Sequence, residues 1–344
     1  MLKCIKKETT KRVNYLNGEK VRSIYFGGGT PSILSGSEIK ALLKDVYKLY
    51  WIDENAEITI ECNPDDLTAS KLSSYKQIGV NRLSIGVQSF NNTDLKFMNR
   101  SHNSKEAIQS IGLAKEAGFK NIAIDLIYGL PNQSLQNWEK NLDIMFELKI
   151  QHFSAYALTI EPKTALNNLV KKKAVKVLSD EKTIAQFNLL QEKATKNGFV
   201  HYEISNFGKD RFFSTHNIAY WKNKHYLGIG PSAHSFNGIS RSWNASSNTK
   251  YISGLSNNLD YYNTEILSKS QQYNEYIFTA LRTIWGVNLN EIKQKFSKKT
   301  FNYFQFEVEK WCNREYIKIN GNNYTLTQEG KAFADTIASD LFIV

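Results

Sequence analysis

The chain has 344 residues, of which 41% are hydrophobic and 22% charged, so it is long enough for one large and one small globular domain. No apolar run approaches the roughly 20 residues of a membrane helix. The N-terminus lacks the apolar core of a secretory signal peptide, and the three distant cysteines form neither a disulfide framework nor a zinc site. We therefore expect a cytoplasmic protein. The net charge of +11 predicts a Lys-rich solvated surface; an anionic ligand or an acidic membrane surface is the alternative, and no nucleic acid is expected.

Strand-like apolar runs alternate with amphipathic helical patterns through the first two thirds of the chain. The strands are predicted at 22–26, 57–60, 82–87, 122–127 and 153–160. Two of the helical patterns begin with capping boxes, at Ser35 with Glu38 and at Asn103 with Glu106. Near-continuous apolar strands joined by helices predict a parallel sheet with right-handed crossovers. The predicted fold class is therefore α/β, in the form of a partial (βα) barrel.

The pattern changes after about residue 236. From residue 273 onward it predicts two helices, a hairpin and a last helix, with the hairpin turn at Asn320-Gly321-Asn322-Asn323. This order is typical of a small winged-helix-like α+β domain. We predict a barrel domain over residues 1–240, a connecting segment over 241–272 and a C-terminal domain over 273–344.

Glycines and polar residues gather at the carboxyl ends of the predicted strands. Gly27-Gly28-Gly29-Thr30 follows the first strand, and such a run either lets a ligand approach the backbone or makes a tight turn. Glu61 follows the second strand, Gln88 the third, and Asp125 lies inside the fourth. Each of these residues, taken alone, could be a structural residue whose polar group is hydrogen-bonded within the protein. Active sites of parallel barrels lie at this end of the strands. Three polar residues on successive strands therefore favour a site for one small polar ligand.

A second group of candidates lies further along the chain. His216 opens a segment that ends in Tyr220-Trp221, and His234 follows a Gly-rich run. A histidine beside aromatic residues suits a flat aromatic ligand or a heme iron, since imidazole is a common axial ligand. The alternative is that His216 bonds to a loop backbone while Tyr220 and Trp221 lie in the core.

Together these motifs resemble those of radical SAM proteins, in the branch that holds oxygen-independent coproporphyrinogen III oxidase and the HemW-type heme chaperones. The matching segments are residues 25–32, 82–90, 124–131, 202–207 and 216–221. The last two segments are similar to those that distinguish the chaperones from the oxidase. The resemblance covers essentially the whole chain, with its motifs in the family's order, and it implies a radical SAM partial barrel with a HemW/HemN-type C-terminal domain.

The resemblance implies contacts to S-adenosylmethionine (SAM). The methionyl amino end would meet Gly28, Gly29 and Thr30, and Glu61 would lie near the methionyl or ribose part. The ribose and carboxylate would be contacted by Gln88, Arg100 and Asp125, while Ala157 would present its backbone near the adenine. These pairings are chemically sound, because a guanidinium suits a carboxylate and a carboxylate suits ribose hydroxyls.

The resemblance also implies heme. His216 is then the candidate iron ligand, with His234 or a cysteine as alternatives. The pocket walls would come from the aromatic residues around it, and the cations for the propionates would be Arg211 and Lys222. The candidate wall residues are Phe212, Phe213, Tyr220 and Trp221.

The chain departs from the family at one point. Radical SAM proteins hold a [4Fe–4S] cluster on three cysteines spaced C-x3-C-x2-C, and no such triplet occurs here, where the cysteines are Cys4, Cys62 and Cys312. We expect that the sequence lacks the family's first strand and cluster loop, which leaves the strand around Ile24 as an unpaired edge. A misassigned start or truncated gene product, a genuine shortened protein that binds without chemistry, and a cluster held by other ligands or a partner chain all remain open.

The function that the resemblance implies is heme binding for transfer to respiratory proteins on a SAM-binding scaffold, with the [4Fe–4S] cluster expected only in a complete protein. The runner-up is the oxidase, which decarboxylates the propionates of coproporphyrinogen III by radical chemistry. A cluster-free binding protein is a third reading, and whether the chain is an enzyme is left open. Heme-accepting respiratory proteins, a membrane surface and a second copy of the chain are the partners considered.

Overall fold

The computed structural model describes the whole chain, Met1–Val344. Thirteen strands are present: β1 (Val21–Phe26), β2 (Ile52–Cys62), β3 (Arg82–Gln88), β4 (Asn121–Tyr128), β5 (His152–Ala157), β6 (Val200–His201), β7 (Asn206–Gly208), β8 (His234–Phe236), β9 (Ser240–Asn244), β10 (Tyr262–Ile266), β11 (Val287–Asn288), β12 (Ile317–Asn320) and β13 (Asn323–Leu326). Fourteen α-helices accompany them: α1 (Leu2–Lys11), α2 (Gly36–Leu49), α3 (Ala69–Gln77), α4 (Asn92–Phe97), α5 (Ser104–Glu116), α6 (Leu135–Glu147), α7 (Ala165–Lys171), α8 (Asp180–Lys196), α9 (Thr215–Trp221), α10 (Asn248–Asn257), α11 (Lys269–Leu281), α12 (Leu289–Lys295), α13 (Lys298–Asn313) and α14 (Ala334–Asp340). None of these helices is long and apolar enough to cross a membrane.

The largest sheet has seven strands in the order β1-β2-β3-β4-β5-β7-β6. Neighbours from β2 to β5 run parallel, and β7 and β6 close the sheet with antiparallel pairings. Helices connect the parallel strands in sequence, as βα units require. The predicted α/β class with a parallel sheet is confirmed, and β1 lies at an edge of the sheet as the sequence indicated.

The two faces of this sheet differ in chemistry. One face carries apolar side chains that are almost completely buried: Ile58, Ile60, Leu83, Ile85, Ile122, Ile124 and Phe153. Because side chains alternate along a strand, the intervening residues share the opposite face. That face is polar: Glu57, Thr59, Glu61, Arg82, Ser84, Asp125 and Ser154. A polar face inside an α/β sheet is unusual, since both faces of a parallel sheet are normally apolar, and it indicates a ligand surface.

The chain forms two compact units. The sheet unit comprises Ser23–Ser37 and Glu57–Ser214, and the terminal unit comprises Met1–Arg22, Glu38–Ala56 and Thr215–Val344. The units are defined by packing, so each one contains segments that are distant from one another in the sequence. The domain boundaries at residues 240 and 272 stay a prediction.

In the terminal unit, α1 is fixed by a buried carboxylate. Glu8 is fully buried and accepts hydrogen bonds from the backbone N–H of Gly230 (2.9 Å), the side-chain amide of Asn244 (2.7 Å) and the hydroxyl of Tyr251. Burial raises the pKa of this carboxyl, and the three hydrogen bonds oppose that rise. The network ties the first helix to segments more than 200 residues away in sequence.

The terminal unit also holds two small antiparallel sheets, ordered β10-β9-β8 and β11-β13-β12. The predicted hairpin is present as β12 and β13, joined at Gly321 and Asn322, with helices before and after it. The short strand β11 completes that sheet and was not predicted, because two residues leave no periodic pattern.

Candidate functional site

The loop after β1 has open space above its backbone. Gly28 and Gly29 adopt φ values of +74° and +62°, and a Cβ added at either would meet no heavy atom within 4 Å. Gly27 differs, because its added Cβ would lie 2.5 Å from the Tyr25 ring and 2.9 Å from Oε1 of Glu61. The three glycines therefore have different roles. Gly27 permits close packing against Tyr25 and Glu61, and Gly28 and Gly29 expose left-handed backbone to the open space above the loop.

Glu61 anchors this loop from the end of β2. Its Oε1 accepts a hydrogen bond from the Tyr25 hydroxyl (2.8 Å), and its Oε2 accepts one from the backbone N–H of Gly28 (2.9 Å). Burial and the neighbouring carboxylates raise the pKa of Tyr25 well above its usual range, so its phenol remains a donor. The glycine loop and the end of β2 are thus one assembly.

Gln88, the last residue of β3, lies close to Arg100 above Gly86. The register between β3 and β4 shifts between Ile85 and Gln88, and Gln88 has a left-handed φ of +66°. A Cβ placed on Gly86 would lie 3.0 Å from Nε2 of Gln88 and 3.4 Å from Nη2 of Arg100, so both side chains crowd above this glycine. Nη2 of Arg100 donates to Oδ1 of Asn63 (2.9 Å) and to the Gly86 carbonyl (3.1 Å).

The Nε–H of Arg100 is buried and has no hydrogen-bond acceptor. A buried guanidinium donor without an acceptor is costly, and native structures normally satisfy it with protein, water or ligand. An anionic group placed over Arg100 would accept the hydrogen bond that this N–H can donate. Other buried polar atoms of the sheet unit, such as Oγ1 of Thr59 and Nδ1 of His102, also lack a partner, but Arg100 is the one that lies beside Gln88 at the end of β3.

Asp125 lies on the polar face of β4, opposite Ser154 of β5. Burial raises the pKa of Asp125 to about 6, helped by the charge of Glu61, while hydrogen bonds from Ser154 and Ser84 and the charge of Arg82 lower it. Near neutral pH the carboxylate is therefore ionised but little stabilised by its surroundings. It is available to accept hydrogen bonds from a ligand.

A buried chain of polar groups stands behind Asp125. Oγ of Ser154 lies 2.9 Å from Oδ1 of Asn206, so its one hydroxyl proton serves either that oxygen or Asp125, and Nδ2 of Asn206 donates to Glu203. Asn206 and Glu203 belong to the 202–207 segment that the sequence singled out. That segment therefore supports the polar face of the sheet unit.

The two remaining predicted residues are Thr30, in the loop after β1, and Ala157, at the end of β5. Thr30 precedes a short 3₁₀ turn at Pro31–Ile33, and Ala157 is the exposed last residue of β5, in register with Tyr128. Sequence reasoning missed Tyr25, Asn63 and Ser154 as site residues. The signal that could have found them is the alternation of polar and apolar residues along the strands, which places the polar ones on one face of the sheet.

The residues present fit SAM but not a cluster. Open left-handed backbone at Gly28 and Gly29, an unsatisfied Arg100 donor and a poorly stabilised Asp125 carboxylate match the ammonium, carboxylate and ribose groups of that ligand. A [4Fe–4S] cluster needs clustered thiolates. Cys4 and Cys62 are buried, burial raises the pKa of Cys62, and no three His, Cys, Asp or Glu side chains in the chain are arranged to hold a metal.

In the terminal unit, α9 carries the other candidate. His216 is partly exposed, and its ring packs edge-on against Tyr220 one turn later, with 4.9 Å between centroids. Tyr220 in turn packs against Tyr226 at 4.4 Å. A partly exposed imidazole framed by aromatic rings has the chemistry of an axial heme ligand.

The other residues predicted around the heme are engaged elsewhere. Trp221 lies under the guanidinium of Arg282 (5.5 Å), and Nζ of Lys222 lies 4.1 Å from the Trp285 ring centroid. In the sheet unit, Phe213 stacks on Tyr202 with 4.4 Å between centroids. Phe212 is half-buried, and Arg211 is an exposed residue paired only with the adjacent Asp210 (3.7 Å). His234, the alternative ligand, stacks on Trp243.

Comparison with known proteins gives two family matches. Residues 6–145 match the Radical SAM superfamily, and residues 267–333 match the HemN C-terminal domain. Among curated relatives, heme chaperone HemW of Bacillus subtilis is 31% identical over 338 residues, which is 98% of this chain and 89% of the relative. Heme chaperone HemW of Lactococcus lactis is 34% identical over 91% of this chain and 82% of the relative.

Among solved structures, coproporphyrinogen III oxidase (HemN) from Escherichia coli, described as a radical SAM enzyme, superposes with a TM-score of 0.84. The match covers 99% of this chain and 82% of that one at 21% identity, so it establishes a shared fold.

Proposed function

The chain belongs to the HemW family of radical SAM proteins, and on this premise we propose that it is a heme chaperone that binds heme on α9 and SAM on the polar face of the sheet unit. The observation that carries the heme proposal is His216, partly exposed and framed by Tyr220. The observation that carries the SAM proposal is the orphaned Nε–H of Arg100.

SAM, when bound, supplies a sulfonium cation together with an α-amino acid and a ribose diol. The protein's part is to position these groups. Backbone at Gly28 and Gly29, with Thr30, would take the amino end, and Glu61 holds that loop in place. The residues proposed for the carboxylate and the ribose are Gln88, Arg100 and Asp125, and Ala157 would lie near the adenine.

The radical SAM family implies a [4Fe–4S] cluster, but residues 1–344 offer no site for one. We therefore derive no cluster chemistry for this chain. Heme binding and transfer need no cleavage of SAM, so the proposed chaperone function stands without cluster chemistry. The proposed recipients are heme-accepting respiratory proteins. Where a recipient is embedded in a membrane, heme transfer would take place at the membrane surface.

The competing function is coproporphyrinogen III oxidation. It is the less supported one, because the relatives that span most of the chain at 31–34% identity bear the HemW name, whereas the oxidase is 21% identical. Incubation with coproporphyrinogen III, SAM and a reductant tests for oxidase activity directly. Formation of protoporphyrinogen IX would favour the oxidase.

The test of the heme proposal is a titration of the purified chain with hemin. We expect His216→Ala to lose or shift the Soret band and to weaken heme binding at least about tenfold, because the axial bond is removed. Far-UV circular dichroism should not change, since the His216 ring is partly exposed. His225→Ala is the matched control, because His225 is also exposed and imidazole-bearing but pairs with Glu19.

An unaltered Soret spectrum and affinity in His216→Ala would contradict the assignment. Loss of the band in His234→Ala instead would move the ligand to His234.

A further inference from the structure

Two arginines of the terminal unit each have a buried donor without an acceptor. The Nε–H groups of Arg241, on β9, and of Arg282, at the end of α11, are shielded from solvent and meet no hydrogen-bond partner. A guanidinium offers five N–H donors, and a buried donor that stays unpaired is costly. Each guanidinium can therefore take one more acceptor, and an anionic acceptor would bind most strongly.

Both arginines are attached to one face of α11. Nη2 of Arg241 binds Oε1 of Glu275 (2.6 Å), and Glu275 precedes Arg282 by two helical turns, so the two residues lie on the same side of the helix. Arg282 itself pairs with Asp335, whose side chain is 77% exposed. Solvent weakens an ion pair of that kind, so Asp335 does not take the place of a closer anion.

Arg282 adjoins α9, the helix that carries the proposed iron ligand. Its guanidinium carbon lies 5.5 Å from the ring centroid of Trp221, the last residue of α9, and 5.1 Å from that of Phe278. A cation is attracted to the faces of aromatic rings, so these contacts fix the charged group at the end of α9.

Arg241 is connected to the same helix by a series of aromatic contacts. It lies opposite Phe236 across β9 and β8, and the Phe236 ring is 6.2 Å from the Tyr226 ring. Burial raises the pKa of Tyr226 and the charge of Arg241 opposes that rise, which places the guanidinium near the phenol. Tyr226 packs on Tyr220 (4.4 Å between centroids), and Tyr220 packs on His216 (4.9 Å). A flat ligand on His216 would therefore have aromatic rings beside it and an arginine in contact with those rings.

Heme has the chemistry that such a group of residues would recognise. It is a flat apolar macrocycle with two propionate carboxylates on one edge, and a carboxylate is a strong acceptor for a guanidinium. The two cations expected from the sequence are placed elsewhere: Arg211 belongs to the sheet unit, and Nζ of Lys222 lies over the Trp285 ring.

We propose that Arg241 and Arg282 bind the two propionates of heme, one each, while His216 binds the iron. The inference rests on the proposed heme function and names the groups by which the site would recognise its cargo. It also replaces the two sequence-derived cations with two arginines that the fold brings to α9 from β9 and α11.

Esterification of the propionates tests the assignment. The native chain is titrated with hemin and with hemin dimethyl ester in one buffer, and the Soret band is followed. We expect the ester, which has no carboxylate, to bind at least about tenfold more weakly than hemin. Arg241→Gln and Arg282→Gln should each weaken hemin binding about five- to twentyfold and leave the affinity for the ester unchanged. Arg282→Lys, which keeps a cation, should recover part of the hemin affinity.

Arg314→Gln is the matched control. Arg314 also lies over a tryptophan of the terminal unit, with 5.3 Å to the Trp311 centroid, but it is an exposed residue at the end of α13, and its replacement should affect neither ligand. Unchanged hemin affinity in Arg241→Gln or Arg282→Gln would overturn the assignment of that residue. Equal losses for hemin and the ester would restrict it to a structural role and overturn the assignment as well. In both cases native hemin binding that depends on His216 would leave the proposed function standing, whereas a native chain that binds no hemin would refute the two together.

Discussion

Asp125 combines a cost to the stability of the fold with a proposed role in ligand binding. Its pKa of about 6 lies above the ordinary value near 4, so the folded protein holds a proton more tightly than the unfolded chain does. Stability from this group is therefore present at low pH and falls as pH rises from about 4 to 6. Above pH 6 the half-buried carboxylate is a net destabilising charge.

We predict that Asp125→Asn raises the melting temperature at pH 7.5, where the stabilisation should be of the order of 1–3 kcal/mol. The gain should shrink toward pH 4, where both variants are uncharged at this position. Thermal unfolding followed by circular dichroism at the two pH values measures it. A variant less stable than the native protein at pH 7.5 would mean that the ionised carboxylate is well paired after all.

The same substitution should weaken SAM binding. We expect calorimetry at pH 7.5 to give about a five- to fiftyfold loss for Asp125→Asn and for Gln88→Ala, since each removes a hydrogen bond and one of them a charge-assisted one. The native affinity should fall as pH is lowered through 6, and that of Asp125→Asn should stay flat. Unchanged affinity in both variants would make these residues structural only.

At the scale of single elements, the turn that follows β3 is held by the side chain of Asn141 in α6. Asn141 of α6 is buried, and its Oδ1 accepts from the backbone N–H of Phe90 (2.7 Å) while its Nδ2 donates to the Ser89 hydroxyl (3.0 Å). These bonds hold the two residues that follow Gln88, whose own φ is +66°. Asn141 therefore positions Gln88 without facing the candidate site.

We predict that Asn141→Ala lowers the free energy of unfolding by about 2–4 kcal/mol, because it leaves the buried N–H of Phe90 without an acceptor and the Ser89 oxygen without a donor. It should also weaken SAM binding while Gln88 is still present. Gln136→Ala, at an exposed position of the same helix, is the control and should change neither quantity. Denaturant unfolding and calorimetry together provide the check: a loss of stability with native SAM affinity would restrict Asn141 to the core.

The elements themselves were largely readable from the sequence. The strand at 82–87 and the capping box at Asn103 and Glu106 are found as predicted, because both have strong local signals. β2 begins at Ile52, five residues before the prediction, since Asp53 and Glu54 hide its alternation. β5 ends at Ala157 rather than 160, where Pro162 and charged neighbours follow.

The site was readable only in part, because side-chain pairing across strands has no local pattern. Residues at strand ends were identified, as Glu61 and Gln88 illustrate. The partner of each one was not, since Tyr25 and Glu61 are 36 residues apart and only the sheet order brings them together. The cations expected near a heme, Arg211 and Lys222, rested on sequence proximity alone, and Lys222 packs on Trp285.

At the scale of the whole molecule, the arrangement of thiols sets a limit on cofactor chemistry. The three cysteines are distributed between the two units: Cys62 lies in the sheet unit, and Cys4 and Cys312 lie in the terminal unit. Burial raises the pKa of Cys62 and of Cys312, so neither is a ready thiolate. Cluster irons need deprotonated, adjacent thiolates.

We predict that the chain of residues 1–344 assembles no [4Fe–4S] cluster during anaerobic reconstitution with iron and sulfide. After desalting, iron and acid-labile sulfide should be far below stoichiometric, and the protein should lack the brown charge-transfer absorption of bound clusters. A Cys4→Ser/Cys62→Ser/Cys312→Ser variant is the matched control, and it should retain the same small amount of adventitious iron as the native chain. About four irons and four sulfides per chain that disappear in the triple variant would contradict the prediction, because they would require these cysteines to meet in a rearranged fold. Heme binding measured on the same preparations separates the two cofactors: if the chaperone proposal is right, the native chain takes up heme although it holds no cluster.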